Sequence, residues 1–125
     1  MKKLTAREIM IPEPVIISPS DSVSRALLEM TVRGIGGLPV VSDEGELLGM
    51  ITHRDLILAG NTAEQLRVRD IMSTRVVAIT PDTPVKKIAE MMRDTGLQRL
   101  PVVEGKKLVG LVTQSCLIRV LAEIL

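Results

Sequence analysis

The 125-residue sequence contains no phenylalanine, tyrosine or tryptophan. A core must therefore be packed by Val, Ile, Leu and seven Met, without the rings that usually share that work. The same absence removes the stacking platform on which proteins hold single-stranded nucleic acid. A formal charge of +1 gives no electrostatic basis for duplex binding. Nucleic acid is thus excluded as the expected partner. The single cysteine cannot form an intrachain disulfide, which fits a reducing compartment. The lone histidine, His53, has no Cys, Asp or Glu cluster at metal-ligand spacing beside it, so no metal site is expected. No apolar run approaches the ~20 residues that span a bilayer. The opening MKKLTAREIM has lysines but no apolar stretch behind them, so no secretory signal is expected. These absences describe a soluble cytoplasmic protein with no membrane span.

What is present is a repeat. Glu8-Ile9-Met10 aligns with Asp70-Ile71-Met72, Ile17-Ser18-Pro19 with Ile79-Thr80-Pro81, and Leu38-Pro39-Val40-Val41 with Leu100-Pro101-Val102-Val103. These pairs share one offset (70 − 8 = 62), and it falls by one at Gly49 and Gly110 (110 − 49 = 61). The deletion lies between Ser42-Asp43-Glu44-Gly45 and Glu104-Gly105-Lys106, where a turn tolerates a length change. The chain is two copies of one unit, expected at residues 1–62 and 63–125 and joined around Gly60-Asn61-Thr62.

Each copy predicts β-α-β-β-α. Val15-Ile16-Ile17 and Val76-Val77-Ala78-Ile79 read as short strands closed by Ser-Pro or Thr-Pro. Asp21 and Thr83 are expected helix N-caps, with Pro84 at the first helical position. Val23, Ala26, Leu27 and Met30 form one apolar stripe; Val85, Ile88, Ala89 and Met92 repeat it. Gly34 and Gly96 suit left-handed C-caps. Two hairpins follow, Leu38–Val41 with Leu47–Ile51 and Leu100–Val103 with Leu108–Val112. Pro39 and Pro101 lack an N–H and belong at a strand start or an edge. A second helix follows each threonine, and the last one carries more apolar positions than a single core face needs: Leu117, Ile118, Val120, Leu121, Ile124 and Leu125. A unit this small leaves one sheet face bare, which a second copy can cover. The surplus stripe on the last helix is expected to meet a further partner, most simply another copy of the chain in a homodimer.

Asp70-Ile71-Met72, the Ser-Pro and Thr-Pro turns, Leu-Pro-Val-Val, and the Gly-x-x-Thr-x-x-Asp run from Gly49 to Asp55 together resemble a tandem pair of CBS (cystathionine-β-synthase) domains, a Bateman module. The resemblance implies an α/β (α+β) fold of two repeats packed through their sheets with pseudo-twofold symmetry. It also implies clefts that take adenosine-containing ligands such as AMP, ADP, ATP or S-adenosylmethionine. No catalysis and no catalytic cofactor are implied; a regulated enzyme or transporter is.

The resemblance assigns roles. The Asp of Gly-x-x-Thr-x-x-Asp accepts hydrogen bonds from both ribose hydroxyls, and the Thr stands one turn earlier on the same helix face. Positions three apart project together, and a helix start favours an anion. Thr52 and Asp55 match the pattern, with His53 and Arg54 beside them; in the second copy Thr113 is kept but Cys116 replaces the carboxylate. Residues just before Leu-Pro reach phosphates in the family: the second copy has Gln98-Arg99 there, the first Gly36-Gly37. Arg99 offers a planar fork suited to phosphate. By resemblance each cleft joins the helix start of one repeat to the first strand and pre-proline residues of the other. One site then comprises Thr52, Arg54, Asp55, Val77, Ala78, Ile79, Thr80, Gln98, Arg99 and Leu100. A second, weaker one comprises Ile16, Ile17, Ser18, Gly36, Gly37, Leu38, Thr113 and Cys116. If each cleft drew on a single repeat, each would be half complete.

Plainer roles stand beside these. An Asp at a helix start ordinarily caps it, Arg99 also reads as a surface cation, and Cys116 has no general base near it in sequence and reads as a small apolar residue. Two functions follow, a regulatory adenosine-ligand module or a structural dimerisation module with no bound nucleotide. No constellation supports an enzyme.

Overall fold

The computed structural model describes residues 3–60 and 65–125. The chain divides into two compact units, each with its own core. Unit 1 combines residues 1–14 with residues 77–125, and unit 2 is residues 15–76. This spatial division differs from the sequence repeats, whose junction at Asn61-Thr62 lies outside the described residues.

Unit 2 contains helix α2 (Val23–Arg33), strands β2 (Gly37–Val41) and β3 (Leu47–Thr52), helix α3 (His53–Ala59) and the single-turn helix α4 (Val68–Ile71). Unit 1 contains the single-turn helix α1 (Ala6–Ile9), strand β1 (Ile11–Pro12), helix α5 (Val85–Thr95), strands β4 (Arg99–Glu104) and β5 (Lys107–Thr113), and helix α6 (Gln114–Ile124). Both expected hairpins are present, antiparallel, with a register shift at Val40/Val41 and at the equivalent Val102/Val103. In unit 1, β1 adds to the free edge of β5, giving the order β1-β5-β4. The cores are near-copies. Ile17, Ala26, Met30, Leu38, Val40, Ile51 and Val68 fill unit 2, and Ala6, Ile79, Ile88, Met92, Leu100, Val102, Val112 and Cys116 fill unit 1.

The C-caps follow the sequence, and the helix stripes do so in part: Leu27 and Ala89, expected on the buried stripes, are exposed. Val23, Ala26 and Met30 are buried on α2, as are Ile88 and Met92 on α5. Gly34 and Gly96 end these helices with φ of 65° and 75°. The expected N-caps shift by one residue. Asp21 and Thr83 instead close the preceding turns, accepting from Ser18 N–H and Thr80 N–H at 3.1 Å each. With those side chains occupied, the N-caps are Ser22, which accepts from Arg25 N–H at 3.0 Å, and Pro84.

The expected first strands shrink to isolated parallel bridges, Ile17 to Val40 and Ile79 to Val102. The prolines explain this. Ile17 N–H donates to the Pro39 carbonyl at 3.0 Å, and Val41 N–H donates to the Ile17 carbonyl at 2.9 Å. The next rung of a parallel ladder would need an N–H on residue 39, which proline lacks. Pro101 ends the Ile79 pairing in the same way, after bonds of 2.9 and 2.8 Å. Both prolines therefore lie inside their strands, with the missing donor turned to the side where pairing stops.

A segment before each repeat docks as a helical turn plus an extended stretch. Thr5 N–H and hydroxyl both donate to Glu8 Oε1 (3.2 and 3.3 Å), and Arg67 N–H donates to Asp70 Oδ2 at 2.8 Å. Such polar-x-x-acid patterns mark helix starts. Met50 and Ser73 exchange backbone hydrogen bonds of 2.9 Å beside Gly49. A methyl on Gly49 would stand 2.5 Å from the Ser73 carbonyl and 3.1 Å from Met72 Sδ. Gly49→Ala is expected to cost about 1–3 kcal/mol by overpacking. It should lower the urea midpoint without changing the slope; an unchanged midpoint would show that this approach is not close.

Candidate adenosine-ligand residues

The strand–helix junctions place the motif residues in each unit. In unit 2, Thr52 ends β3 and is the N-cap of α3. Its N–H donates to Asp55 Oδ2 at 2.8 Å and its hydroxyl donates to the same oxygen at 3.2 Å. Both bonds land on Oδ2, so Oδ1 of this half-buried carboxylate accepts no hydrogen bond among the described residues. Asp55 is thus a cap, as the plainer reading expects, with one oxygen to spare. Arg54 and His53 are exposed on the first turn of α3.

Unit 1 repeats the junction with sulfur. Thr113 is the N-cap of α6, and its N–H donates to Cys116 Sγ at 3.4 Å. Cys116 N–H donates back to Thr113 Oγ1 at 3.4 Å. These contacts are longer than those to the carboxylate and involve a weaker acceptor. Cys116 is only 2% exposed and packs in the unit 1 core, whereas Asp55 stays half-buried. The thiol fills the same capping position while adding an apolar contact.

The pre-proline residues lie directly across from the threonines. Gly37 pairs with Thr52, and Arg99 pairs with Thr113. Opposed residues of an antiparallel pair share a sheet face. A backbone bond reinforces each junction, His53 N–H to the Gly36 carbonyl and Gln114 N–H to the Gln98 carbonyl, both 3.1 Å. These ties carry no side-chain signature, so only the register discloses them. Leu38 and Leu100 are fully buried and anchor the strands. Arg99 is partly buried, and burial pushes its guanidinium pKa below the ordinary value. It makes no ion pair among the described residues. A charged guanidinium desolvated without an anion is favourably placed to receive one.

The first-strand residues extend each sheet through their bridges. Ile17 and Ile79 are buried; Ile16 and Val77 are exposed. Ser18 and Thr80 donate their N–H groups into the turns closed by Asp21 and Thr83, and their hydroxyls pair with Ser20 and Thr83 at 3.0 and 3.1 Å. Ala78 is exposed between Val77 and Ile79. Within each unit, then, the helix start, the pre-proline residues and the first-strand residues lie on adjacent backbone segments. No group of three or more His, Cys, Asp or Glu side chains able to hold a metal occurs among the described residues. No described helix is long and apolar enough to cross a membrane.

Comparison with known proteins agrees with this architecture. The chain is 35% identical over 109 residues to inosine-5'-monophosphate dehydrogenase of Methanocaldococcus jannaschii, covering 86% of this chain and 22% of that enzyme. It is 31% identical over 112 residues to the CBS domain-containing protein YhcV of Bacillus subtilis, covering 86% and 79%. The chain spans 64%, 22% and 42% of the length of three curated relatives that it matches. CBSX2 of Arabidopsis thaliana superposes with a TM-score of 0.91 at 26% identity, over 98% of this chain and 97% of that one. CBSX2 in complex with AMP gives 0.88 at 28% identity, over 96% and 97%. The CBS domain pair of protein MJ0100, in complex with 5-methylthioadenosine and S-adenosyl-L-methionine, gives 0.84 at 26% identity, over 99% and 100%. The CBS domain model itself matches twice, at residues 6–61 and 68–123, in register with the repeat and with both capped threonines; the chain belongs to the CBS domain family.

Proposed function

We propose that the chain is a non-catalytic regulatory module that binds an adenosine-containing ligand and signals its occupancy to a partner. The observation that carries this reading is the Asp55 carboxylate, fixed at a helix start by two bonds to Oδ2, with Oδ1 accepting none among the described residues. That oxygen suits a ribose hydroxyl. The AMP complex of CBSX2 and the S-adenosyl-L-methionine complex of MJ0100 support the ligand class. We assign the stronger site to Thr52, Arg54 and Asp55 with Val77, Ala78, Ile79, Thr80, Gln98, Arg99 and Leu100. The weaker site takes Ile16, Ile17, Ser18, Gly36, Gly37, Leu38, Thr113 and Cys116, and lacks both a carboxylate and an arginine. Exposed Ile118, Leu121 and Ile124 on α6 support homodimerisation, which we place in the cytoplasm. Signalling requires that ligand favour one arrangement of the module over another, and a regulated enzyme or transporter would read it.

A structural module with no nucleotide is the second reading. It is favoured by the capping geometry itself, since Asp55 already has a folding role and Cys116 fills that role without a carboxylate. The aromatic-free composition makes the choice easy to test. Purified, desalted protein should show an adenine absorption band on an almost transparent near-ultraviolet background. AMP at a hundredfold above its Kd should add about 2.7 kcal/mol of stability. No band, together with no thermal stabilisation by AMP, ADP, ATP or S-adenosylmethionine, would leave the structural reading.

A further inference from the structure

Residues 3–12 complete unit 1 although the chain then departs into unit 2. Ala6 is fully buried in a core that includes Ile88, Leu100, Val112 and Cys116. Ala6 N–H donates to the Thr83 carbonyl at 2.8 Å, and Arg7 N–H donates to the Pro81 carbonyl at 3.0 Å. Val85 N–H donates in turn to the Leu4 carbonyl at 3.0 Å. Ile11 and Pro12 pair with Leu111 and Gly110 of β5. Every one of these contacts is made to residues 77–125, and the chain passes from the segment into unit 2 through Glu13 and Pro14.

That exit is strained. Glu13 has φ of 47°, the one positive φ on a non-glycine residue among the described residues. A side chain disfavours this conformation, and a following proline further restricts the residue toward extended backbone. The crossover at the other end, Thr74 to Val76, carries no such residue. Strain is therefore stored at the hinge of the segment that is self-contained enough to be handed over. Strained short hinges invite exchange between copies.

We propose that residues 3–12 are an exchangeable strap, and that unit 1 of one chain accepts the strap of a second copy. The product is a closed dimer in which each chain donates and accepts one strap, so assembly ends at two chains. All contacts of the strap are kept, and Glu13 relaxes to extended backbone. The monomer holds its own strap at high effective concentration; the dimer gains by relieving two hinges and is favoured as protein concentration rises.

Cross-chain disulfides test this directly. In a Cys116→Ser background, one chain carries Ile11→Cys and the other Leu111→Cys, positions that face each other across β1 and β5. The two are unfolded, mixed and refolded together at low and high concentration under mild oxidation. A heterodisulfide between residues 11 and 111 should appear and rise with concentration. A dimer made through α6 alone leaves each strap on its own unit and gives none. Glu13→Gly, which removes the hinge strain, should lower the heterodisulfide yield about tenfold at a fixed concentration. Glu13→Pro, whose ring forbids positive φ, should make it the main product. No heterodisulfide at any concentration overturns the proposal. Equal yields from chains with and without Glu13→Gly also overturn it, and that comparison stands even if Glu13→Pro fails to fold.

Discussion

Deletion of residues 1–14 is expected to abolish the folded core of residues 77–125 while residues 15–76 keep theirs. Besides its β1–β5 pairing, the deleted segment makes three backbone hydrogen bonds with residues 81–85, each worth about 1 kcal/mol net. It also buries Ala6 completely and Ile9 and Met10 in part, at roughly 1 kcal/mol or more each. The sum, about 5 kcal/mol or more, rivals the ~5–15 kcal/mol that holds a small domain folded. Removing β1 further returns β5 to an unpaired edge. Unit 2 has its own equivalent segment, Arg67 to Ser73, with Val68 fully buried and backbone bonds from Val68 and Arg69 to the Asp21 and Pro19 carbonyls. That segment is retained in the deletion. Amide spectra of the truncated chain should keep dispersed signals for residues 15–76 and collapse those of residues 77–125. Dispersed signals throughout would show that the N-terminal segment is dispensable.

This destination of the segment was not legible in the sequence. Glu8-Ile9-Met10 and Asp70-Ile71-Met72 align well with each other, but an alignment of two copies does not say which core each one enters. The two single-turn helices before the repeats, starting at Thr5-x-x-Glu8 and Arg67-x-x-Asp70, were missed in the sequence, where these segments served only as repeat matches. The hairpins and the i, i+3, i+7 positions of the helix stripes were legible because they rest on local patterns, while the i+4 positions Leu27 and Ala89 turned outward. The N-caps moved because Asp21 and Thr83 had two possible uses and the turn claimed them first. The first strands shortened because Pro39 and Pro101 act on a neighbour far away in sequence, through a hydrogen bond that cannot form. At the candidate site the repeated Gly-x-x-Thr located both helix starts. The Arg99–Thr113 and Gly37–Thr52 pairings depend on register, which a bulge in each hairpin sets.

The second large effect concerns Asp55. If its free oxygen and charge hold a ribose, Asp55→Asn should weaken AMP by tenfold or more. A hydrogen bond to a charged group is worth ~1.5–3 kcal/mol, and ~1.4 kcal/mol is a decade of affinity. At this N3 position an asparagine oxygen can still accept from Thr52 N–H, so only the first-turn charge is lost and stability should fall by less than about 1 kcal/mol. Asp55→Ala would confound the two roles by also losing about 1 kcal/mol of cap. Cys116 sits where no carboxylate exists, so its removal should touch folding more than ligand. Its 2% exposure and its place in the unit 1 core point the same way. The contrast between these two positions separates a binding residue from a structural one at matching points of the repeat.

The most direct measurement is therefore a set of equilibrium titrations with AMP on the unaltered chain, Asp55→Asn and Cys116→Ala, each checked for folding by its urea midpoint. The account predicts that Asp55→Asn loses about tenfold or more in affinity with its midpoint nearly held, while Cys116→Ala lowers the midpoint and leaves affinity within about threefold. Equal losses of affinity in the two variants, or no loss in Asp55→Asn, would contradict it.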